Sequence, residues 1–302
     1  MDTKIFWDVF RDTGDPLCWL LTRIAPAENK KERTEDERQS ALTASVVRQE
    51  VYIMYKTLHG LVLREVKYKE SSKILTILTE EEGKITAEAR GALRKGSKCS
   101  AASQVLTWSE LTFFENRGRY TLTEGSVLED FAALRADLGD YALGCYMAEL
   151  LEAVSDEDSH STALLHLGLN ALFALSRQLY PAKHIKAVFE LRLMCLAGFA
   201  PQLDRCTDCG SHTPEKPRLS LYGGGVHCTG CTPGAPGKSV LLCGASLAAM
   251  RHVCSAGEKK IFSFTLDESS DERFCTACEE YTLAQLDRGF STLDYWHSLQ
   301  NR

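Results

Sequence analysis

Long apolar runs and a secretory signal are both missing from the chain. None of its 302 residues belongs to a run of the ~20 apolar residues that a membrane-spanning helix needs. Acidic residues occupy the N-terminus, where a secretory signal would have positive charge followed by an apolar stretch. Apolar residues make up 44% and charged residues 25% of the chain, as in ordinary globular proteins. The sequence therefore predicts a cytoplasmic protein without a membrane segment, long enough for two domains.

Known catalytic motifs are missing as well. The chain has no GxSxG and no HExxH sequence, and no acidic cluster arranged for two metal ions. Gly237-Lys238-Ser239 is similar to the end of a phosphate-binding loop, but Thr232 stands where that motif requires glycine. Since no nucleophile–base pair can be identified either, we expect a protein that is not an enzyme.

Cysteine, by contrast, is abundant, with 12 residues. Cys206 and Cys209 form one CxxC motif, and Cys228 and Cys231 form a second one after a spacer of 18 residues. Two CxxC motifs supply the four thiolates of a tetrahedral zinc site, two from each turn. Four cysteines leave no open position for water, so the sequence predicts a structural Zn²⁺ ion rather than a catalytic one.

The other cysteines give weaker signals. A thiol redox role, which needs only one CxxC motif at a helix start, is the less favoured alternative. Cys275 and Cys278 form a third CxxC motif, but it lies in a helical stretch without a partner pair, which favours two core thiols. His212 and His227, beside the zinc motifs, are expected to face solvent. The isolated cysteines are expected to be buried, inert thiols: Cys18, Cys99, Cys145, Cys195, Cys243 and Cys254.

Short strand-like segments follow one another in residues 54–130, the first predicted domain. They are predicted at residues 58–66, 73–79, 84–90, 105–114 and 119–123. Closing five short strands into a barrel removes exposed sheet edges, so an OB-fold is the expected architecture.

A helical domain with an insert is predicted for residues 131–302. Helices are expected at residues 134–154, 161–179, 182–197, 244–256 and 271–299. Residues 205–238, which contain the two zinc motifs, are rich in Gly, Pro and Thr and lack periodicity. The predicted fold class is therefore multidomain α+β: an N-terminal OB-fold β-barrel followed by an α-helical domain with an inserted four-cysteine zinc knuckle.

Residues 1–53 differ from both predicted domains. Residues 30–38 (KKERTEDER) form a charge run, and no capped helix or alternating strand precedes it. We expect an appended leader that is partly disordered. Because Met54 directly precedes the regular pattern, a mis-assigned start is the other interpretation.

Positive charge is concentrated in the predicted barrel. Residues 54–119 contain 12 Lys and Arg against 8 Asp and Glu, although the whole chain has a net charge of −6. The glycine-containing run at residues 90–98 looks like a mobile loop whose backbone and cations could reach a phosphate. Tyr68 and Tyr120 could stack on unpaired bases or be half-buried sheet residues. The predicted DNA-binding residues are Arg64, Lys67, Lys69, Lys73, Lys84, Arg90, Arg94, Lys95, Lys98, Arg117 and Arg119.

Three stretches carry a resemblance to a known family. They are residues 58–85 (LHGLVLREVKYKESSKILTILTEEEGKI), residues 89–98 (ARGALRKGSK), and the two CxxC motifs on either side of residues 219–225 (LSLYGGG). From about residue 55 to the C-terminus, the chain resembles the RecO family of bacterial DNA-repair and recombination mediators. The resemblance implies a non-catalytic, nucleoid-associated protein of the RecF pathway that binds single- and double-stranded DNA and anneals complementary strands. The implied partners are RecR and single-stranded-DNA-binding protein, with RecA loading as the shared task.

One further interpretation stays open. The chain could be a zinc-ribbon adaptor that binds another protein, with the charge of the barrel incidental. Lys183 and Lys186, on one helix of the acidic domain, are candidate contacts for the acidic tail of single-stranded-DNA-binding protein.

Overall fold

The computed structural model describes residues 55–156, 162–231 and 237–300. The chain forms two compact units, a barrel and a helical unit, with the boundary after Asp130. The expectations for residues 1–53 lie outside the described residues. None of the helices in the described part of the chain is both long enough and apolar enough to cross a lipid bilayer.

The first unit is a closed barrel with the strand order β1-β2-β3-β5-β4. Its strands are β1 (Tyr55–Tyr68), β2 (Ser72–Thr79), β3 (Gly83–Ala89), β4 (Trp108–Asn116) and β5 (Arg119–Glu129). Neighbouring strands are antiparallel except β3 and β5, whose parallel pairing closes the barrel. This OB-like topology confirms the predicted fold class.

Alternating apolar residues fill the interior of the barrel. Leu75, Ile77, Phe113 and Leu122 point inward from three strands and are at most 2% exposed. Gly60 allows β1 to pass close to β2, because a Cβ atom on Gly60 would lie 2.5 Å from Cγ2 of Ile77. The strand-like segments predicted from the sequence therefore supply this core.

The segment between β3 and β4 differs from the expected mobile loop. Residues 90–107 form consecutive turns, in which the amides of Arg94 and Ser97 donate to carbonyls three residues earlier. Ala92 and Cys99 are buried in the barrel core, which fixes these turns. Strand β4 also begins at Trp108 rather than at residue 105, since Leu106 has a φ of 62° and interrupts the extended backbone.

The second unit consists of helices and a small sheet. The helices are α1 (Leu138–Val154), α2 (Thr162–Ser176), α3 (Ala182–Leu196), α4 (Gly244–Ser255), α5 (Glu268–Leu286) and α6 (Ser291–Gln300), with a 3₁₀ turn at Ala132–Ala136. Within this unit, α3 packs on α5 and α1 packs on α6. The Asp137 side chain caps α1 by accepting from the Asp140 amide at 2.9 Å, and Asp267 caps α5 in the same way.

Two predictions about this unit are wrong in detail. The continuous helix expected at residues 271–299 is two helices, because Asp287 has a φ of 47° and Phe290 turns into the core, where its ring meets Tyr146 edge-on at 5.7 Å. The insert was expected to lack regular structure, but it contains β6 (Pro217–Ser220) and β7 (Val226–Cys228), which pair with β8 (Ser239–Leu241) in the order β7-β6-β8.

Candidate metal centre and nucleic-acid interface

The four predicted zinc ligands come together in the insert. The Sγ atoms of Cys206, Cys209, Cys228 and Cys231 all lie within 4.8 Å of one another, and those of Cys209 and Cys228 are 3.8 Å apart. A tetrahedron with Zn–S bonds of about 2.3 Å has sulfur–sulfur edges of about 3.8 Å. The four sulfur donors therefore fit a tetrahedral ion of the size and softness of Zn²⁺.

Tight turns place the sulfur atoms. In the first knuckle, the amide of Cys206 donates to the carbonyl of Ser211 at 2.8 Å, and the amide of Gly210 donates to the carbonyl of Cys206 at 2.9 Å. Gly210 has a φ of 74°, a conformation that favours glycine. In the second knuckle, Cys228 ends strand β7, and its amide donates to the sulfur of Cys206 at 3.3 Å. A local turn therefore shapes the first knuckle, whereas strand pairing and the contact with Cys206 position Cys228 in the second.

Side chains from distant helices hold this ribbon in place. The Arg251 guanidinium, on α4, donates to the carbonyls of Leu203 at 2.7 Å and of Asp204 and His212 at 3.0 Å each. Gln285, on α5, donates to the carbonyl of Leu221 at 2.6 Å. Sequence reasoning missed Arg251, since it lies more than 35 residues from the carbonyls it binds.

The sulfurs of the cluster differ in their affinity for protons. Burial raises the pKa of the Cys206 thiol, but the amides of Cys209, Cys228 and Asp208 outweigh that effect and lower it to about 6. Hydrogen bonding to Cys209 and burial raise the pKa of Cys231 to about 12. Cys206 is thus largely a thiolate near neutral pH, whereas Cys231 keeps a proton that a bound metal ion would displace.

The neighbouring histidines do not join the sulfur cluster. His212 is exposed and contacts the carbonyl of Asp204 at 3.2 Å. His227 is half-buried, with Nδ1 at 2.8 Å from a carboxylate oxygen of Asp208. With four sulfurs as the donor set, the coordination sphere is closed, which is typical of structural zinc.

Most of the predicted DNA-binding cations are exposed on the barrel. The exposed cations are Arg64, Lys67, Lys69, Arg90, Arg94, Lys95, Lys98, Arg117 and Arg119. They belong to the end of β1, the β1–β2 connection, the turns after β3 and the β4–β5 turn. In OB-folds, oligonucleotides bind at the face of strands 2 and 3 and at the β1–β2 and β4–β5 connections.

Polar residues of strands β1, β2 and β3 lie next to the cationic connections. Arg64 pairs with Thr76 in the β1–β2 register, and Thr76 pairs with Thr86 in the β2–β3 register. The β4–β5 turn is tight, with φ values of 52° at Arg117 and 74° at Gly118, and these values suit a two-residue hairpin turn. A row of small polar residues is thus bordered by cationic side chains.

Lys73 and Lys84 differ from the exposed set. Lys73 is only 7% exposed, and its Nζ atom lies 2.7 Å from a carboxylate oxygen of Glu65. Lys84 is half-buried. Lys73 is therefore already neutralised and shielded from solvent, and we leave it out of the proposed interface.

Two exposed cations have acidic neighbours. Arg90 lies 3.2 Å from Glu88, and Lys98 lies 3.2 Å from Glu124, with both cationic side chains at least two-thirds exposed. Surface ion pairs of this kind contribute about 0–1 kcal/mol. A phosphate can therefore replace the carboxylate at little cost.

The two tyrosines differ in exposure. Tyr68 is 41% exposed, and Nζ of Lys69 lies 4.6 Å from the centre of its ring. Tyr120 is half-buried, and its ring meets Phe113 edge-on at 5.7 Å. Of the two, Tyr68 is the more exposed and is therefore the better candidate for stacking on a base.

Acidic residues lie in the β2–β3 turn, at the C-terminal end of β2. The β2–β3 turn carries Glu80 and Glu81, and their carboxylates lie within 4.8 Å of the His59 ring. Strand β2 has eight residues, so its two ends are separated by seven steps of about 3.3 Å. This turn therefore lies about 23 Å from the β1–β2 connection. An acidic turn thus lies at the opposite end of β2 from Lys67 and Lys69.

Two expectations for the helical unit are wrong. Lys186 is 3% exposed and pairs with Glu190 and Glu279, so it cannot receive a partner's acidic tail. Cys195 and Cys254 were expected to be buried, inert thiols, but both are only partly buried, and their sulfur atoms lie 3.4 Å apart. No local motif could have predicted this pair, since 59 residues separate the two positions.

The fold and the sulfur cluster together define a class: an OB-like barrel followed by a helical unit that carries a four-cysteine ribbon. The chain belongs to the RecO family. Residues 54–131 match the family "Recombination protein O N terminal", and residues 135–294 match "Recombination protein O C terminal".

Relatives from distant bacteria match most of the chain. "DNA repair protein RecO" of Acetivibrio thermocellus is 30% identical over 245 residues, which cover 81% of this chain and 97% of the relative. The protein of the same name from Symbiobacterium thermophilum is 29% identical over 80% of this chain and 96% of its own length. The protein of the same name from Anaeromyxobacter sp. is 37% identical over 66% of this chain and 79% of its own length.

Proposed function

We propose that the protein is a non-catalytic DNA-binding mediator of recombinational DNA repair in the RecF pathway. It binds single- and double-stranded DNA without sequence preference and anneals complementary strands. With RecR, it helps load RecA onto DNA covered by single-stranded-DNA-binding protein. It acts in the cytoplasm, at the nucleoid.

The exposed cations of the barrel are the observation that carries this proposal. Nine side chains of one sign border the face and connections that OB-folds use for oligonucleotides. Lys and Arg neutralise phosphates and release counterions, which gives affinity that depends on salt and not on base sequence. Tyr68 adds an aromatic surface for an unpaired base.

A structural Zn²⁺ ion bound by Cys206, Cys209, Cys228 and Cys231 completes the proposal. The closed sulfur donor set supports this role, because no ligand position is left for water or substrate. The ion would supply a cross-link that holds the two knuckles together.

The salt dependence of DNA binding tests the proposed interface. Arg94, Lys95 and Lys98 are changed together to Ala, and affinity for a random-sequence single-stranded oligonucleotide is measured across a salt series. Each lost phosphate contact lowers the slope of log affinity against log salt by about 0.7 on single strands, so we expect a decrease of about 2.

The matched control removes the same charge elsewhere. Lys183, Lys260 and Arg273 are exposed in the helical unit and are likewise changed together to Ala. We expect this variant to keep the wild-type slope. Equal slopes for the wild type and the barrel variant would remove these three cations from the interface.

A protein-binding adaptor is the second candidate. Tyr222, on the ribbon, is 66% exposed, which is typical of an aromatic residue at a protein interface. The same titration separates the two functions, because an adaptor without a DNA-binding role would not shift the oligonucleotide at low or moderate salt.

A further inference from the structure

Two thiols outside the metal centre lie close enough to react with each other. Cys195 is in the last turn of α3, Cys254 is in the last turn of α4, and their sulfur atoms are 3.4 Å apart. A disulfide bond is about 2.05 Å long, so the two sulfurs need to approach by about 1.4 Å. Both residues are partly exposed, which gives a small oxidant access to them.

The Arg192 guanidinium holds the two cysteines in these positions. Nη1 of Arg192, one turn before Cys195 on α3, donates to the carbonyls of Val253 at 3.2 Å and Cys254 at 3.0 Å. These two bonds tie α3 to the end of α4 and keep the sulfur atoms together. The guanidinium also places positive charge beside the pair, and positive charge favours a thiolate.

The two sulfurs differ in their affinity for protons. The hydrogen bond with Cys254 lowers the pKa of Cys195 against the effect of burial, and Arg192 lowers it further. The hydrogen bond with Cys195, together with burial, raises the pKa of Cys254. One sulfur is therefore suited to be the nucleophile, and the other remains a protonated neighbour that can react second.

We propose that Cys195 and Cys254 are an oxidisable dithiol that forms a reversible disulfide with a peroxide as the oxidant. The Cys195 thiolate attacks a peroxide oxygen, the O–O bond breaks, and a sulfenic acid and hydroxide result. The Cys254 sulfur then attacks the sulfenic sulfur, and the S–O bond breaks as the S–S bond forms. The hydroxide leaves with the thiol proton as water, so two thiols and one hydrogen peroxide give one disulfide and two waters.

A disulfide bond between Cys195 and Cys254 would affect the four-cysteine ribbon because of where the two residues lie in the chain. The chain leaves α3 into the ribbon and returns from β8 to α4. A bond from Cys195 to Cys254 would thus close a loop that contains all four proposed zinc ligands. Closing a loop restricts the unfolded chain, so oxidation would stabilise the ribbon's two anchoring helices against local opening.

The other described cysteines of this unit suit the reaction less well. Cys278 is fully buried, and burial raises its pKa well above the ordinary value. Burial and the nearby Asp271 raise the pKa of Cys275 to about 12.

Burial raises the pKa of Cys243, but hydrogen bonds with Ser246 and Ser270 outweigh that effect and lower it to about 7. Its sulfur contacts these two hydroxyl groups rather than a second thiol. We therefore expect the disulfide to form at the Cys195–Cys254 pair.

Mapping of disulfides in the full chain tests the proposal. The metal-loaded protein is treated with one equivalent of hydrogen peroxide, free thiols are blocked, and the unreduced digest is analysed by mass spectrometry. We expect a linked peptide pair containing Cys195 and Cys254, lighter by two hydrogen atoms and separated by dithiothreitol. Metal content, measured on the same samples, should stay constant. A linkage through Cys206, Cys209, Cys228 or Cys231 instead, or none at all, would overturn the proposal.

Single substitutions test the order of the two steps. In Cys254→Ser the reaction should stop at the sulfenic acid, which dimedone labels on Cys195. In Cys195→Ser neither the label nor the linked peptide should form. Cys145→Ser, a change of a partly buried cysteine in α1, should behave like the wild type. If Cys254→Ser gives no more dimedone label than Cys145→Ser, the assigned order of attack is wrong.

Discussion

A lysine buried among carboxylates controls the stability of the helical unit at the residue scale. Nζ of Lys186 lies 2.9 Å from Glu190 and 2.7 Å from Glu279, and Tyr146 donates to Glu190 at 2.7 Å. Glu190 is fully buried, and burial raises its pKa although Lys186 and Tyr146 act against that effect. The lysine is thus the positive charge that allows this carboxylate to stay in the core.

Removing that lysine should be costly. We expect Lys186→Ala to lower the free energy of unfolding by about 3–5 kcal/mol, because Glu190 is left as a buried charge without its cation. Lys183→Ala, at an exposed position on the same helix, should change it by less than about 0.5 kcal/mol. Urea denaturation monitored by circular dichroism measures both values. Equal stabilities for the two variants would show that the network contributes little.

At the scale of elements, the proposed zinc site bears on the stability of the four-cysteine ribbon. Its strands have only three or four residues, and its turns contain glycines with positive φ. Burial of Leu219, Leu221 and Val226 supplies a small apolar core. Such an element needs a cross-link in addition to its core, which a bound metal ion provides.

Loss of one ligand should therefore open the ribbon. We expect Cys206→Ser to reduce zinc from one ion per chain to nearly none and to raise amide hydrogen exchange in residues 202–231. The barrel should keep its protection, since its core lies in strands β1 to β5. Metal analysis and hydrogen exchange provide the two measurements, with Cys145→Ser as the control. Full zinc occupancy in Cys206→Ser would show that the ligand assignment is wrong.

Elements with a strong local pattern were predictable from the sequence, and the others were not. The strands of the barrel follow from short apolar and β-branched segments, and the knuckles follow from their CxxC spacing. The break at Asp287 was missed because the helical pattern continues across it, while tertiary packing of Phe290 decides the chain path. Three features depend on contacts between residues that are not neighbours in the sequence, and a local sequence pattern does not predict such contacts. They are the hydrogen bonds of Arg251, the burial of Lys73 and the Cys195–Cys254 pair.

The whole molecule combines a net negative charge with a locally cationic barrel. The chain carries a net charge of −6, yet nine of the predicted DNA-binding cations are exposed on the barrel. Two complementary DNA strands repel each other, and a protein that neutralises both backbones lowers that repulsion. Annealing is thus the proposed activity that depends most directly on this distribution of charge.

Annealing and binding should therefore weaken together. We expect the protein to speed the annealing of complementary oligonucleotides at low salt, and we expect this acceleration to fall as salt rises, in parallel with DNA affinity. The Arg94/Lys95/Lys98→Ala variant should lose most of the acceleration, whereas the Lys183/Lys260/Arg273→Ala variant should keep it. Fluorescence quenching between labelled strands measures the rate. If both variants anneal equally well, net charge and not the barrel surface controls annealing, and the exposed cations of the barrel must have another purpose.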